Sequence, residues 1–97
     1  MSKKMIDRIT PEFIESKITN EQYWTPEGSL TTFVLVQTQN NVDGIGWSSC
    51  ADPKKYSLEE GKKWSRKMAI DSLWTAYGTT LKHLIARGIH DDFFTLD

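Results

Sequence analysis

A chain of 97 residues has room for one hydrophobic core, because a small chain divided in two buries too little surface to hold both halves. Apolar residues at 38% and charged residues at 26% exclude a disordered or membrane-embedded protein, and no apolar run approaches the roughly 20 residues of a bilayer span. A formal net charge of −1 argues against a general nucleic-acid binder, and a single cysteine, Cys50, rules out an internal disulfide or a thiol pair for metal or redox chemistry.

The opening Met1-Ser2-Lys3-Lys4 is followed by no apolar stretch of the secretory kind, so a cytoplasmic location is the expectation. Thr10-Pro11-Glu12 predicts a helix start: a capping hydroxyl, a proline suited to the first helical position and an acid that complements the helix dipole. Phe13, Ile14 and Ile18 give this helix a narrow apolar side, and Thr19-Asn20 reads as its exit. Pro26 and Gly28 mark a loop between Tyr23 and Ser29.

Residues 31–39 are dense in β-branched and aromatic side chains, and Asn40 to Gly44 is rich in turn formers, which predicts a strand, a turn and a returning strand near Ile45 to Ser49. Phe33, Leu35 and Gln37 share one strand face while Thr32, Val34, Val36 and Thr38 share the other. Both faces are apolar in the middle, so the sheet is expected to be covered on both sides, by a helix and by another segment or subunit. Ala51-Asp52-Pro53 breaks the strand.

Ser57-Leu58-Glu59-Glu60 is a capping box, and it predicts a long helix ending near Arg87 at the terminator Gly88. Gly78 followed by Thr79-Thr80 suggests a break or kink within it. Ile70, Leu73, Trp74, Tyr77, Leu81 and Leu84 follow a buried helical stripe. Gly61, Ser65, Ala69, Ser72 and Ala76 form a row of small residues that would admit a close neighbour. The whole reads as one α+β domain over residues 1–97, an antiparallel hairpin or sheet packed with a short N-terminal helix and a long C-terminal one. Its core spans residues 10–88, and 89–97 form a tail in which Phe93 and Phe94 look exposed, either docked or free.

The side chains favour binding over catalysis. His83 and His90 lack a cysteine or acid at metal-ligand spacing, and no phosphate loop or nucleophile elbow occurs, so neither a catalytic residue, a metal nor a cofactor is expected. Residues 54–67 carry Lys54, Lys55, Lys62, Lys63, Arg66 and Lys67 against Glu59 and Glu60, a local excess of +4 in an otherwise acidic chain. These cations stand near the capped helix start with Tyr56 and Trp64, which is what a nucleotide-like ligand requires. A solvated basic face with both rings in the core accounts for the same residues, and Glu59 and Glu60 weaken the anion argument.

Gly46-Trp47-Ser48-Ser49-Cys50-Ala51-Asp52-Pro53, Tyr56, Glu60-Gly61-Lys62-Lys63, Ala69-Ile70, Trp74, Tyr77-Gly78 and Leu81-Lys82 follow the hairpin in this order. The chain thereby resembles a group of small phage proteins with the approximate pattern G-x-S-A-C-x-D-P, F, E-x-G-x-K-x-A, A-x-x-x-x-W and G-Y-x-L, itself similar to the first type of Thoeris anti-defence protein. The likeness covers about residues 10–87. It departs at Trp64, at the reversed order of Tyr77 and Gly78, and at a longer turn before Ile45.

The resemblance implies a homo-oligomeric sponge in the host cytoplasm that traps a cyclic ADP-ribose isomer, or a related cyclic nucleotide, without degrading it. It also implies structural roles for Cys50, Ala51, Gly61, Ala69 and Trp74. By side-chain chemistry Asp52, Tyr56, Lys62 and Arg66 are the ligand-binding candidates. The rival readings are a protein that inhibits a host protein through the Phe93-Phe94 tail or the basic face, and a nucleic-acid accessory protein. No membrane partner is expected.

Overall fold

The computed structural model describes residues 4–96 and shows a helix, three strands and a long helix, the expected α+β class. Helix α1 (Pro11–Lys17) starts where the Phe13 amide donates to the Thr10 hydroxyl at 3.1 Å. The chain then enters β1 (Ile18–Trp24) with no loop between them. Here the sequence reading is corrected, because Ile18–Trp24 is a strand rather than a helix exit leading into a loop.

Polar Thr19, Asn20, Glu21 and Gln22 carry no strand pattern of their own. What makes them a strand is the free edge of β2 (Thr31–Thr38), whose backbone groups β1 satisfies in antiparallel register. Cross-strand side chains add to the pairing. The Asn20 amide donates to Gln37 Oε1 at 2.9 Å, and Trp24 stacks on Phe33 at 5.4 Å between ring centroids.

Strand β3 (Gly44–Ser49) returns along the other edge of β2 after a turn in which Asn41 takes the left-handed conformation at φ 62°, as asparagine tolerates. The order is β1-β2-β3, all antiparallel. As expected from parity, Thr32, Val34, Val36 and Thr38 are buried, and Phe33, Leu35 and Gln37 face the other way.

Helix α2 (Leu58–Arg87) crosses the buried face of the sheet. Its start is capped by Ser57, whose hydroxyl accepts the Glu60 amide at 3.3 Å, and it stops at Gly88, left-handed at φ 66°. No break occurs at Gly78. Thr79 and Thr80 do not cap a new segment; both lie inside the continuous helix, with their hydroxyls donating back to the carbonyls of Thr75 and Ala76. At about 1.5 Å per residue a 30-residue helix outruns the sheet, and the molecule is a rod of 54 × 21 × 18 Å.

The buried seam of α2 takes every fourth residue: Gly61, Ser65, Ala69, Leu73, Tyr77 and Leu81. The seam joins Gly61, Ser65 and Ala69 of the expected small row to Leu73, Tyr77 and Leu81 of the expected stripe, whereas Ser72 and Ala76, also expected in the small row, are exposed because a four-residue repeat carries them off the contact line. Small residues lie where the sheet passes beneath, with Thr32 under Gly61 and Gly46 under Ser65. Of the large ones, Leu73 lies over Gly44 at the end of β3 and Tyr77 reaches Thr38 at the end of β2, and they belong with Leu81 to the core that Phe13, Ile14 and Phe94 also fill. Trp74, placed in the core by its spacing, is 38% exposed, and Ile70 and Leu84 are only partly buried.

Of the two alternatives for the last segment, docked or free, the structure shows the docked one, with Phe94 far less exposed than it looked. Phe94 is 2% exposed and stacks on Phe13 at 5.5 Å, while Phe93 meets both Phe13 and Tyr77 edge-on or tilted. The Ile6 amide donates to the Phe94 carbonyl at 2.8 Å, and Met5 bridges Thr95, so the two ends of the described chain close the core together. Phe94 is thus a core residue, and Phe93 is partly buried against the same core. Among the described residues no helix is long and apolar enough to cross a membrane.

Candidate functional site

Strand β3 ends at Ser49, and nine residues later α2 begins; the connection wraps over one end of the sheet. Asp52 shapes this connection by accepting the Lys54 amide on Oδ1 at 3.0 Å, which caps a short 3-10 turn at Pro53–Lys55. Cys50 is half-buried and its thiol donates to the Asp52 carbonyl at 3.2 Å. The turn delivers Tyr56 to the start of α2, half-buried between two clefts.

The larger of these clefts, about 320 Å³, is lined by Tyr23, Trp24, Thr25, Thr32, Tyr56, Leu58 and Lys62. The Lys62 ammonium stands 5.4 Å from the centre of the Tyr23 ring, a cation held against an aromatic face. The smaller, about 180 Å³, lies on the other side of Tyr56, with Ser49, Cys50, Lys55, Ser57 and Trp64 in its wall. Trp64 is half exposed and donates its indole N–H to Glu60 at 3.0 Å, so it is not packed in the core.

Of the four sequence candidates the fold brings Tyr56 and Lys62 into one cleft. Asp52 serves the preceding turn, and Arg66 lies in a separate groove beside Lys63, Trp64 and Lys67. Arg66 is also engaged. Its Nε donates to Glu21 Oε1 at 2.8 Å and its Nη2 to Glu15 at 2.9 Å, which ties α2 to β1 and to α1. An anionic ligand at Arg66 would have to compete with two carboxylates.

This cluster shifts its own ionisation. The hydrogen bond from Arg66 holds the Glu21 carboxyl below its ordinary value of 4.5, while the guanidinium is held charged still more firmly. Burial, together with the 2.7 Å bond that Tyr23 donates to Glu21, pushes the Tyr23 phenol up to about 12. A carboxyl whose folded value is depressed stabilises the fold above its unfolded value, and that contribution is lost as pH falls through the folded one. Glu21→Gln is therefore expected to cost about 1 kcal/mol at pH 7, the upper end for a partly exposed pair, and progressively less below about pH 4.5. Urea unfolding of both proteins at neutral and acid pH checks this; a cost that does not shrink in acid would place the effect elsewhere.

Sequence reasoning passed over Tyr23 and Trp24 as ligand candidates, although their size beside a loop was the available signal. It also passed over a groove of about 410 Å³ at the far end of α2, lined by Arg8, Trp74, Gly78, Lys82 and Ile85 among others. Among the described residues no cluster of His, Cys, Asp or Glu is arranged to hold a metal ion.

Over residues 9–85 the chain is similar to the phage protein (N4 Gp49/phage Sf6 gene 66) family. No curated protein and no solved structure matches it.

Proposed function

The chain belongs to the phage protein (N4 Gp49/phage Sf6 gene 66) family, and from that premise we propose that it is a non-enzymatic binding protein that sequesters a cyclic nucleotide signal of host defence, a cyclic ADP-ribose isomer. One observation carries this reading: the cleft at the start of α2 joins the rings of Tyr23, Trp24 and Tyr56 to the ammonium of Lys62. A purine stacks on aromatic faces for about 1–3 kcal/mol, and a pyrophosphate prefers charge-assisted donors.

Sequestration needs firm, reversible holding of an intact ring. At about 320 Å³ the cleft stands at the low end of small-molecule sites, which suits a ligand held by a few strong contacts. The purified protein, incubated with a panel of cyclic nucleotides and then heated, is expected to release one of them unchanged in mass. Tyr56→Ala and Lys62→Ala are each expected to weaken its binding about tenfold in calorimetry. A panel with no binder, or a ligand returned with altered mass, would sink the reading.

A further inference from the structure

We propose that Glu21 and Arg66 are positioning residues of the cleft at the start of α2: Arg66 anchors Glu21, Glu21 holds Tyr23 by its hydroxyl, and the ring so fixed seats the Lys62 ammonium before any ligand arrives. The proposal rests on the reading that this cleft is the ligand site. Neither Glu21 nor Arg66 lines it.

The backbone sets the arrangement. Glu21 and Tyr23 are two apart on β1 and pair with the buried Val36 and Val34, so both carry their side chains on the sheet face that α2 covers. Lys62 and Arg66 are four apart on α2 and share a side of that helix. Two strand residues span about 6.6 Å and four helix residues about 6 Å. The two pairs therefore stand in register, Arg66 against Glu21 and Lys62 against Tyr23.

The contacts follow that register. Arg66 Nε donates to Glu21 Oε1 at 2.8 Å, and the Tyr23 hydroxyl donates to the same oxygen at 2.7 Å. On its other side Arg66 Nη2 reaches both oxygens of Glu15 at 2.9 Å, so the guanidinium is fixed to α1 as well as to β1. Lys62 Nζ lies 5.4 Å from the centre of the Tyr23 ring. Because the hydroxyl proton is committed to Glu21, Tyr23 meets a ligand with its ring and not with a donor. β1 is an edge strand and Tyr23 is only partly buried against the core, so packing holds the ring on one side and the hydroxyl bond supplies the rest. Ordering a free side chain during binding lowers affinity, and a wall fixed in advance avoids that loss.

The protein without ligand gives the first test, by nuclear magnetic resonance. The Hε protons of Lys62, assigned by their absence in Lys62→Arg, are expected upfield of their free-lysine position, since an aromatic ring shields nuclei held over its face. Tyr23→Phe keeps the ring and removes the tether. It and Arg66→Met are expected to lose most of that displacement, whereas Glu21→Gln, whose amide oxygen also accepts the hydroxyl, retains it. A purely structural role would lower the melting temperature without this pattern, because stability does not set where the ring stands in the folded state. With cyclic ADP-ribose as the probe in calorimetry, Tyr23→Phe is expected to bind about fivefold more weakly. Lys62 signals that stay in place in Tyr23→Phe, or that move as far in Glu21→Gln, overturn the proposal whatever the protein binds. Equal affinity of Tyr23→Phe and wild type for a probe that binds overturns it as well. If the signals move as expected and no cyclic nucleotide binds, the positioning stands and the ligand reading alone falls.

Discussion

Phe13→Ala is expected to lower the unfolding free energy by about 3–5 kcal/mol, the largest effect of any single truncation in this fold. Phe13 is fully buried, and its ring is the common neighbour of Tyr77 at 5.9 Å, Phe94 at 5.5 Å and Phe93 at 5.9 Å. The Lys17 ammonium also lies 5.2 Å from its centre. Removing the ring opens a cavity that none of these neighbours can fill, because Tyr77 is fixed by hydrogen bonds to Thr38 at 2.8 Å and Asn40 at 3.0 Å. With total stabilities of about 5–15 kcal/mol for domains generally, such a loss takes up much of the margin. Thermal melting followed by circular dichroism should fall by about 15 °C or more. A drop of only a few degrees would mean that α1 and the C-terminal segment dock without depending on this ring.

Gly46→Ala should cost about 2–3 kcal/mol, although intrinsic backbone preference points the opposite way. Alanine in a strand restricts the unfolded chain more than glycine does, which by itself favours the fold by about 0.5–1 kcal/mol. At this position, however, an added Cβ runs into the carbonyl oxygen of Ser65 and comes within 2.8 Å of the Ala69 amide nitrogen. Both obstacles are helix backbone, which has no rotamer to turn aside. The strand cannot retreat either, since Gly46 pairs with Val34 and Gly44 is also held close under Ala69. Relief requires α2 to lift off the sheet along its small-residue half. The sign of the measured change in urea unfolding decides between the two effects, and an unchanged or raised midpoint would contradict the close contact between α2 and β3.

Much of the architecture was legible where a residue's own chemistry set the structure. Thr10-Pro11 and Ser57 capped helices at the expected places, Gly88 ended one, and the alternation through Thr31–Thr38 assigned the buried face of β2 correctly. These signals are local: a hydroxyl reaching an amide three residues on, or a period of two along an extended chain. β1 was not legible, because Thr19 to Gln22 have no such signal and become a strand only through the edge they pair with. Whether Phe93 and Phe94 dock or stay free was undecided for a similar reason. Their framing by Asp91 and Asp92 suggested a wet surface, but Asp91 caps the short turn at Asp92–Phe94 and thereby aims Phe94 inward.

The candidate site divides along the same line. Lys62 and Tyr56 were visible from the sequence as a cation and a ring near a capped helix start, and they do share a cleft. Tyr23 and Trp24 complete that cleft from β1, the element hidden from a reading of local pattern. Arg66 shows the converse case, a side chain suited to phosphate that tertiary packing commits to Glu15 and Glu21.

Sequence by itself determined the helix limits, the facing of the central strand and the class of side chains gathered around Tyr56, because each depends on contacts within a few residues. Tertiary structure alone decided that β1 exists, that Arg66 is held by two carboxylates, and that Lys62 stands against the ring of Tyr23. Those outcomes depend on which distant segments meet, and a chain carries that information only in the sum of all its pairings.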